Sequence, residues 1–254
     1  MADLFDLTGK VGIVTGGAGG IGKALALGLA KHGADVIVTS RTLSKLEPVT
    51  EEIKATGKKS LAVACDVTDE RSVKDMVDRV VREFSHVDIL VNAAGINIRN
   101  SAEDIPLEDW KKVMDFNAFG TFVCCQAVGR VMIKQKSGKV VNVSSVRGRY
   151  GAPSGAVAYS PSKGAVDMLT RTLACEWAKY NVLVNAVAPT LIETDLTRQA
   201  LANPEFAKTM RARIPLGRWG FPEDVVGPMV FLASKASDFV SGQIIYVDGG
   251  TTTW

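Results

Sequence analysis

Short apolar runs and longer stretches of helical period alternate along the 254 residues of the chain. The runs at 11–15, 36–39, 61–64, 88–91, 140–143, 182–187 and 244–247 are rich in Val, Ile and Leu. They are too short for helices, which predicts strands buried on both faces. Between them, helical patterns cover 23–31, 43–55, 69–84, 106–136, 157–180 and 222–234. Asp69 stands where an N-cap is needed, and Pro106 suits a helix's first turn. The Gly227–Pro228 pair predicts either a kink in the last helix or its true start. The polar stretch 190–219, with Pro204 and Pro215, is assigned no element and reads as a variable lid over a substrate. Strands alternating with helices imply right-handed crossovers. The expected fold is α/β, a doubly wound parallel sheet of about seven strands with helices on both faces, in one domain over 1–254.

Composition narrows the function. The chain is 46% hydrophobic and 22% charged with a net charge of +3, too mild for nucleic acid to be an expected partner. Cys65, Cys124, Cys125 and Cys175 show neither CxxC nor metal-ligand spacing. They read as reduced thiols, and no metal site is expected. The N-terminal residues lack a basic head followed by an apolar run, and no uninterrupted apolar stretch reaches the length of a membrane span. A soluble, cytoplasmic protein without membrane partners is expected.

The first strand runs into Thr15-Gly16-Gly17-Ala18-Gly19-Gly20-Ile21-Gly22, and a helix follows. Strand, glycine turn and helix form the Rossmann-type dinucleotide site, where glycines admit the pyrophosphate and the helix offers free N–H groups. The run fits GxGxxG through Gly17, Gly19 and Gly22, and TGxxxGxG through Thr15, Gly16, Gly20 and Gly22. Either pattern alone also describes a plain turn; the flanking strand and helix favour a nucleotide. An NAD site usually ends its second strand on a carboxylate that binds the ribose 2′-hydroxyl. Here Thr39-Ser40-Arg41 stands instead. A hydroxyl followed by a guanidinium suits a 2′-phosphate, so NADP(H) is favoured. NAD(H) stays possible, because Arg41 can also be a solvated loop residue.

The stretch 139–164 carries the chemistry. Val140, Val141 and Val143 form a buried strand ending on Ser144 and Ser145, where open α/β sheets place their ligands. After a loop of Gly, Pro and Arg, a helix presents Tyr159 and Lys163 four apart on one face. A hydroxyl, a phenol and an ammonium together can polarise a carbonyl and move a proton. Singly each has a plain alternative: a wet helix tyrosine, a surface lysine, a capping serine.

With these residues in place, the chain resembles the short-chain dehydrogenase/reductase family over nearly its whole length. The marks are T-G-G-A-G-G-I-G (15–22), Asp66-Val67, N-A-A-G (92–95), Asn117, Ser145, Y-S-P-S-K (159–163), V-N-A-V-A-P-T (184–190) and a terminal V-D-G-G. The resemblance implies that Tyr159 is general acid in reduction and general base in oxidation. A phenol working near pH 7 needs roughly 4 kcal/mol of phenolate stabilisation, and Lys163 and the oxidised nicotinamide would supply it. Lys163 would also bind the nicotinamide ribose, Ser145 the substrate oxygen, and Asn117 a water chain leading from Lys163 to solvent. Gly16, Ala18, Gly20, Ile21, Gly22, Ser40, Arg41, Asp66, Val67, Asn92, Ala94, Gly95, Pro189 and Thr194 complete the implied cofactor contacts. Asp66 would meet adenine, and Asn92, Ala94 and Gly95 the ribose, although strand-end turn chemistry explains Asn92 equally well. The family also implies a homotetramer in which the helices from Pro106 and Val157 meet their mates, with Ala158, Ser162, Gly164 and Ala165 allowing close approach.

Two departures stand out. Ser145 and Tyr159 are one residue further apart than is common in the family, which predicts a longer loop and keeps Ser144 as a second candidate. Thr190 follows Pro189 where glycine is frequent. In its C-terminal half the chain is most like the gluconate 5-dehydrogenases and related sugar or polyol reductases of the family. The variable segments 95–101, 146–156 and 190–219 hold Arg99, Arg147, Arg149, Arg198, Lys208, Arg211, Arg213 and Arg218. Such cations suit an anionic substrate, a sugar acid or similar oxo-acid held by Arg147 or Arg149, or else form a solvated basic face. A 3-oxoacyl-thioester reductase is the alternative enzyme, and a non-catalytic nucleotide-binding regulator the alternative of another class.

Overall fold

The computed structural model describes residues 3–152 and 155–253. Seven parallel strands form one sheet: β1 (Val11–Thr15), β2 (Asp35–Ser40), β3 (Ser60–Ala64), β4 (Ile89–Asn92), β5 (Gly138–Val143), β6 (Val182–Pro189) and β7 (Ile244–Val247). Their order is β3-β2-β1-β4-β5-β6-β7, so chain order reverses between β1 and β4. Ligands of doubly wound sheets lie at the carboxyl ends of the strands beside such a switch point.

Neighbouring strand residues serve opposite layers, which is why the strands read as unbroken apolar runs. Val14, Val36, Val38, Val91 and Val141 pack on one side with helices α1 (Gly20–Lys31), α2 (Glu47–Lys54) and, later in the chain, Val226–Ala233. Ile13, Ile37, Leu90 and Val140 face the other side and α3 (Glu70–Phe84). Asp69 caps α3, its carboxylate accepting the Arg71 N–H at 2.9 Å.

The single helix expected over 106–136 is α4 (Leu107–Met114), a π turn (Asp115–Phe119) and α5 (Gly120–Gln135). Of the described helices, only this run is long and apolar enough to cross a membrane by length and composition, and half of its most apolar window is buried inside the fold. α6 (Tyr159–Trp177) follows β5 and a 3-10 turn, Val146–Gly148. Pro153 and Ser154 of the intervening loop lie outside the described residues.

The stretch 190–219 is more ordered than its polarity suggested. It folds into α7 (Asp195–Leu201) and α8 (Pro204–Ala212). Asn203 caps α8 through the Glu205 and Phe206 N–H groups, with Pro204 in the first helical position. Leu201, Ala207 and Ile214 point inward. A bridge between Ile192 and Gly220 joins the two ends of the stretch. The last helix, α9 (Val226–Ala233), begins one residue before Gly227–Pro228, so the pair marks its start after a 3-10 turn (Pro222–Val225).

Candidate active site

The turn after β1 is shaped by contacts that exclude side chains. Gly16 has φ +68°, and a Cβ there would lie 2.8 Å from the Ala94 backbone; a Cβ on Gly22 would lie 2.2 Å from the Gly16 carbonyl oxygen. Gly19 occupies the N-cap of α1 with no side-chain cap and with no acidic residue in the helix's first turn. Open space surrounds the position of its absent Cβ. Free N–H groups, the positive end of a 12-residue helix and room in front of them fit a pyrophosphate. Thr15 Oγ1 accepts the Ala94 N–H at 3.2 Å, which ties this turn to the end of β4. Thr194, at the N-cap of α7, stands close to Gly20, its methyl 3.2 Å from where a Cβ on that glycine would lie.

Ser40 ends β2 and Arg41 follows it. Ser40 Oγ is engaged in its own turn with Thr42, and the Arg41 guanidinium lies over the Phe116 ring, 5.4 Å from its centroid. Burial raises the Asp66 carboxyl, but the Thr68 N–H and hydroxyl and the Arg41 charge outweigh it and hold it below the usual range. Asn92 looks inward. Its amide donates to Asn142 Oδ1 at 2.9 Å and to Cys125 Sγ at 3.2 Å, linking β4, β5 and α5. Asn142 in turn donates to Thr170 on α6. Val67, Asn92 and Ala94 line a small cleft with Thr15 and Phe116.

At the end of β5 the two serines diverge. Ser145 Oγ caps the 3-10 turn through the Arg147 N–H at 3.2 Å and donates to the Pro189 carbonyl at 3.4 Å. Of the neighbouring hydroxyls, it is the one that acts on the Tyr159 phenol. Ser144 Oγ donates instead to the Lys163 carbonyl at 3.4 Å, behind the site. Burial pushes the Tyr159 phenol above its ordinary range, while Ser145 and the Arg147 charge pull it back. The Lys163 ammonium lies 5.6 Å from the Tyr159 ring centroid and donates to the Val143 carbonyl at 2.8 Å. Burial lowers it to about 8, against the opposing pull of Asp167.

Asn117 reaches this cluster from the π turn. Its side chain takes the Ile96 N–H at 2.8 Å and gives to the Ile96 carbonyl and Ser162 Oγ, each at 2.9 Å. A Cβ on Gly95 would lie 3.6 Å from both Asn117 Oδ1 and Lys163 Nζ, so the Gly95 backbone separates them closely. The four polar residues implied by the resemblance are thus brought together from the π turn, the end of β5 and α6.

The basic face is smaller than the sequence suggested. Arg198 pairs with Asp195 and Glu193, and Arg218 forms two hydrogen bonds to Asp224. Arg211 stacks on Trp219, and Arg149 on Tyr246 of β7. Arg147 is the cation that acts on the Tyr159 phenol. It lies over Tyr150 and donates to the Gly151 carbonyl at 2.9 Å. The 95–101 loop approaches Gly155, with Arg99 Cβ 3.4 Å from where a Cβ on Gly155 would stand.

Comparison with known proteins decides what this arrangement is. Residues 16–252 match the family model described as enoyl-(acyl carrier protein) reductase. The chain belongs to the short-chain dehydrogenase/reductase family. This member is an oxidoreductase of that family, and its seven-stranded sheet is the family's Rossmann-like fold. It is 40% identical to gluconate 5-dehydrogenase of Gluconobacter oxydans, the match spanning 98% of this chain and 97% of the relative. The solved structure of a gluconate 5-dehydrogenase from Burkholderia cenocepacia in complex with NADP and tartrate is 36% identical, with a TM-score of 0.95 over 99% of this chain and 98% of that one. A 3-oxoacyl-[acyl-carrier-protein] reductase of Thermotoga maritima is 43% identical over 96% of this chain and 98% of its own.

Proposed function

We propose that the protein interconverts a ketone and a secondary alcohol on an anionic sugar acid, with NADP(H) as hydride carrier. One observation carries the reading: the buried Lys163 ammonium lies 5.6 Å from the Tyr159 ring centroid, tied to the end of β5 that presents Ser145, and Ser145 and the Arg147 charge both act on the phenol. Gluconate 5-dehydrogenases among the relatives, and NADP in the Burkholderia complex, support the same substrate class and cofactor.

The glycine turn 16–22 and the first turn of α1 hold the pyrophosphate, Ser40 and Arg41 the 2′-phosphate, and Asp66 and Val67 the adenine. Ala94, Gly95, Lys163, Pro189 and Thr194 surround the nicotinamide half. The Asn92 backbone belongs to that wall, its amide being committed to Asn142 and Cys125. When bound, the nicotinamide supplies the hydride that reaches the carbonyl carbon, or accepts it in oxidation. Ser145 Oγ holds the carbonyl oxygen, and the Tyr159 hydroxyl gives it a proton. In oxidation the phenolate takes that proton back. Lys163 stabilises the phenolate by charge, and Asn117 fixes the Gly95–Ile96 backbone beside the ammonium. Arg147 binds the substrate carboxylate, with Arg99 of the 95–101 loop as a second cation. Residues 190–219 cover it.

The same reading places the enzyme in the cytoplasm as a homotetramer. Leu107, Phe119, Phe122 and Met168 leave apolar surface on α4, the π turn, α5 and α6, at 85%, 40%, 38% and 60% exposure. Ala158 and Ser162 are fully buried within their own protomer, so of the four small residues named for close approach Gly164 and Ala165 remain.

The test is NADPH and NADH oxidation by purified protein against 5-keto-D-gluconate, neutral ketoses and acetoacetyl-CoA. Turnover of the keto-acid with NADPH, and a Michaelis constant raised in Arg147→Ala, supports the proposal. Preference for acetoacetyl-CoA overturns the substrate class in favour of the oxoacyl reductase that the Thermotoga relative represents. Cofactor binding without turnover on the whole panel, unchanged in Tyr159→Phe, points to a nucleotide-binding regulator.

A further inference from the structure

The helix that carries Tyr159 and Lys163 repeats their spacing, for Asp167 and Arg171 follow at further intervals of four. The four side chains climb one face of α6. The proposed reaction uses the first two and leaves Asp167 unexplained. Asp167 is only 4% exposed, and its Oδ1 has no hydrogen-bond partner. A buried, incompletely paired carboxyl costs stability, so it needs a reason to be there.

Its surroundings supply one. Oδ2 lies 2.5 Å, and the Lys163 carbonyl 3.0 Å, from the point where a Cβ on Gly148 would stand. Only a glycine lets the turn lie this close to the carboxyl. Ser144 Oγ donates to that same carbonyl at 3.4 Å and pulls the Asp167 carboxyl down against its burial. Gly148 in turn donates its N–H to the Ser145 carbonyl at 2.9 Å. Asp167 therefore lies against the turn that follows Ser145, is influenced by the hydroxyl that precedes it, and sits one helical turn from Lys163.

We propose that Asp167 is a positioning residue of the active site, clamping the 144–148 turn to α6 so that Ser145 meets Tyr159, and sustaining the positive charge of Lys163. The proposal rests on the roles given above to Ser145 and Lys163. Burial raises the Asp167 carboxyl, and Ser144, Arg171 and Lys163 pull it back. Reciprocally, Asp167 is the charge that opposes the desolvation of Lys163. Around Lys163, the other elements offer the Val143 carbonyl from β5, the Gly95 backbone and the neutral Asn117. Arg147, from the 3-10 turn, acts on the phenol. The π turn's Asp115 is ion-paired with Lys111 in solvent.

The deciding measurement is the titration of Lys163 by its 13Cε chemical shift in lysine-labelled protein, assigned by the signal lost in Lys163→Arg. It requires neither substrate nor turnover. Asp167→Asn keeps the shape and removes the charge, and should move the Lys163 midpoint down from about 8 by about one unit. Ser144→Ala leaves the charge and should leave the midpoint in place, yet lower kcat about tenfold with little change in KM, because Ser145 is no longer held. If Asp167→Asn does not fold, Asp167→Ser carries the same charge test with a smaller side chain. An unmoved midpoint in the neutral variant overturns the electrostatic half of the proposal, and unchanged kcat in Ser144→Ala overturns the clamp. Failure of the catalytic reading itself shows separately, as turnover that survives Tyr159→Phe.

Discussion

Arg41→Ala tests the cofactor assignment most directly. Arg41 is exposed just after β2 and rests on the Phe116 ring of the π turn. A charged hydrogen bond is worth about 1.5–3 kcal/mol, and each 1.4 kcal/mol is tenfold. Solvent screening at this exposed position favours the lower half of that range. NADPH should therefore lose about 10- to 30-fold in kcat/KM relative to NADH. The stacking on Phe116, worth about 0.5–1 kcal/mol, is lost as well. So is part of the field that holds Asp66 ionised. Both losses weaken the two cofactors alike and cancel in the ratio. The assay is steady-state reduction of 5-keto-D-gluconate with each nucleotide at constant ionic strength. A ratio that moves less than about threefold would show that Arg41 does not bind the 2′-phosphate, and the cofactor argument from 39–41 would fail.

Further outcomes follow from the same geometry. Tyr159→Phe should lower kcat by about two to four orders of magnitude while NADPH affinity, read by fluorescence titration, stays within about twofold, because the phenol moves a proton without anchoring the cofactor. Ser145→Ala should cost more than Ser144→Ala in kcat/KM, since Ser145 acts on the phenol while Ser144 is turned to the Lys163 carbonyl. Gly22→Ala should abolish measurable NADPH binding while thermal unfolding shows the protein still folded, because its Cβ collides with the Gly16 carbonyl that shapes the pyrophosphate turn. The rate of ketone reduction should fall as pH rises through about 8, where Lys163 loses its proton. The Tyr159 phenol, raised by burial, keeps its own there. A flat profile from pH 7 to 9 would separate Lys163 from the chemistry.

Most of the architecture could be read from pattern because doubly covered strands leave an unambiguous mark. Val36, Ile37 and Val38 face alternate layers and all are buried, so no polar residue interrupts the run. The glycine turn was legible for a related reason, since contacts as short as that between position 22 and the Gly16 carbonyl forbid any side chain. What escaped is where local and tertiary signals diverge. α7 and α8 are short and mostly polar, and their buried anchors Leu201, Ala207 and Ile214 are too sparse to set a period. Asn203-Pro204 was nonetheless a readable start signal. The pairing of Arg198 and Arg218 with carboxylates depends on how the stretch folds back, so the basic face looked larger in sequence than in space.

The π turn was least legible and organises the most. A straight α-helix from Leu107 to Gln135 would place side chains at a fixed 100° step, and Asp115-Phe116-Asn117-Ala118-Phe119 carries no residue that forbids such a helix. The i→i+5 turn inserts an offset there instead, as functional sites often do. Through it, neighbouring residues serve separate purposes: Phe116 lies under Arg41, and Asn117 holds Ile96 beside Lys163. The interior supports the offset. Thr121 Oγ1 donates to the Asn117 carbonyl at 2.7 Å, meeting an acceptor near the widened turn. Gly120 lets Val67 approach to within 2.8 Å of where its Cβ would be. One irregular turn thus couples the proposed adenine end of the cofactor groove to Lys163, the proposed catalytic lysine. Changes at Gly120 or Thr121, which touch no proposed ligand, should therefore disturb both.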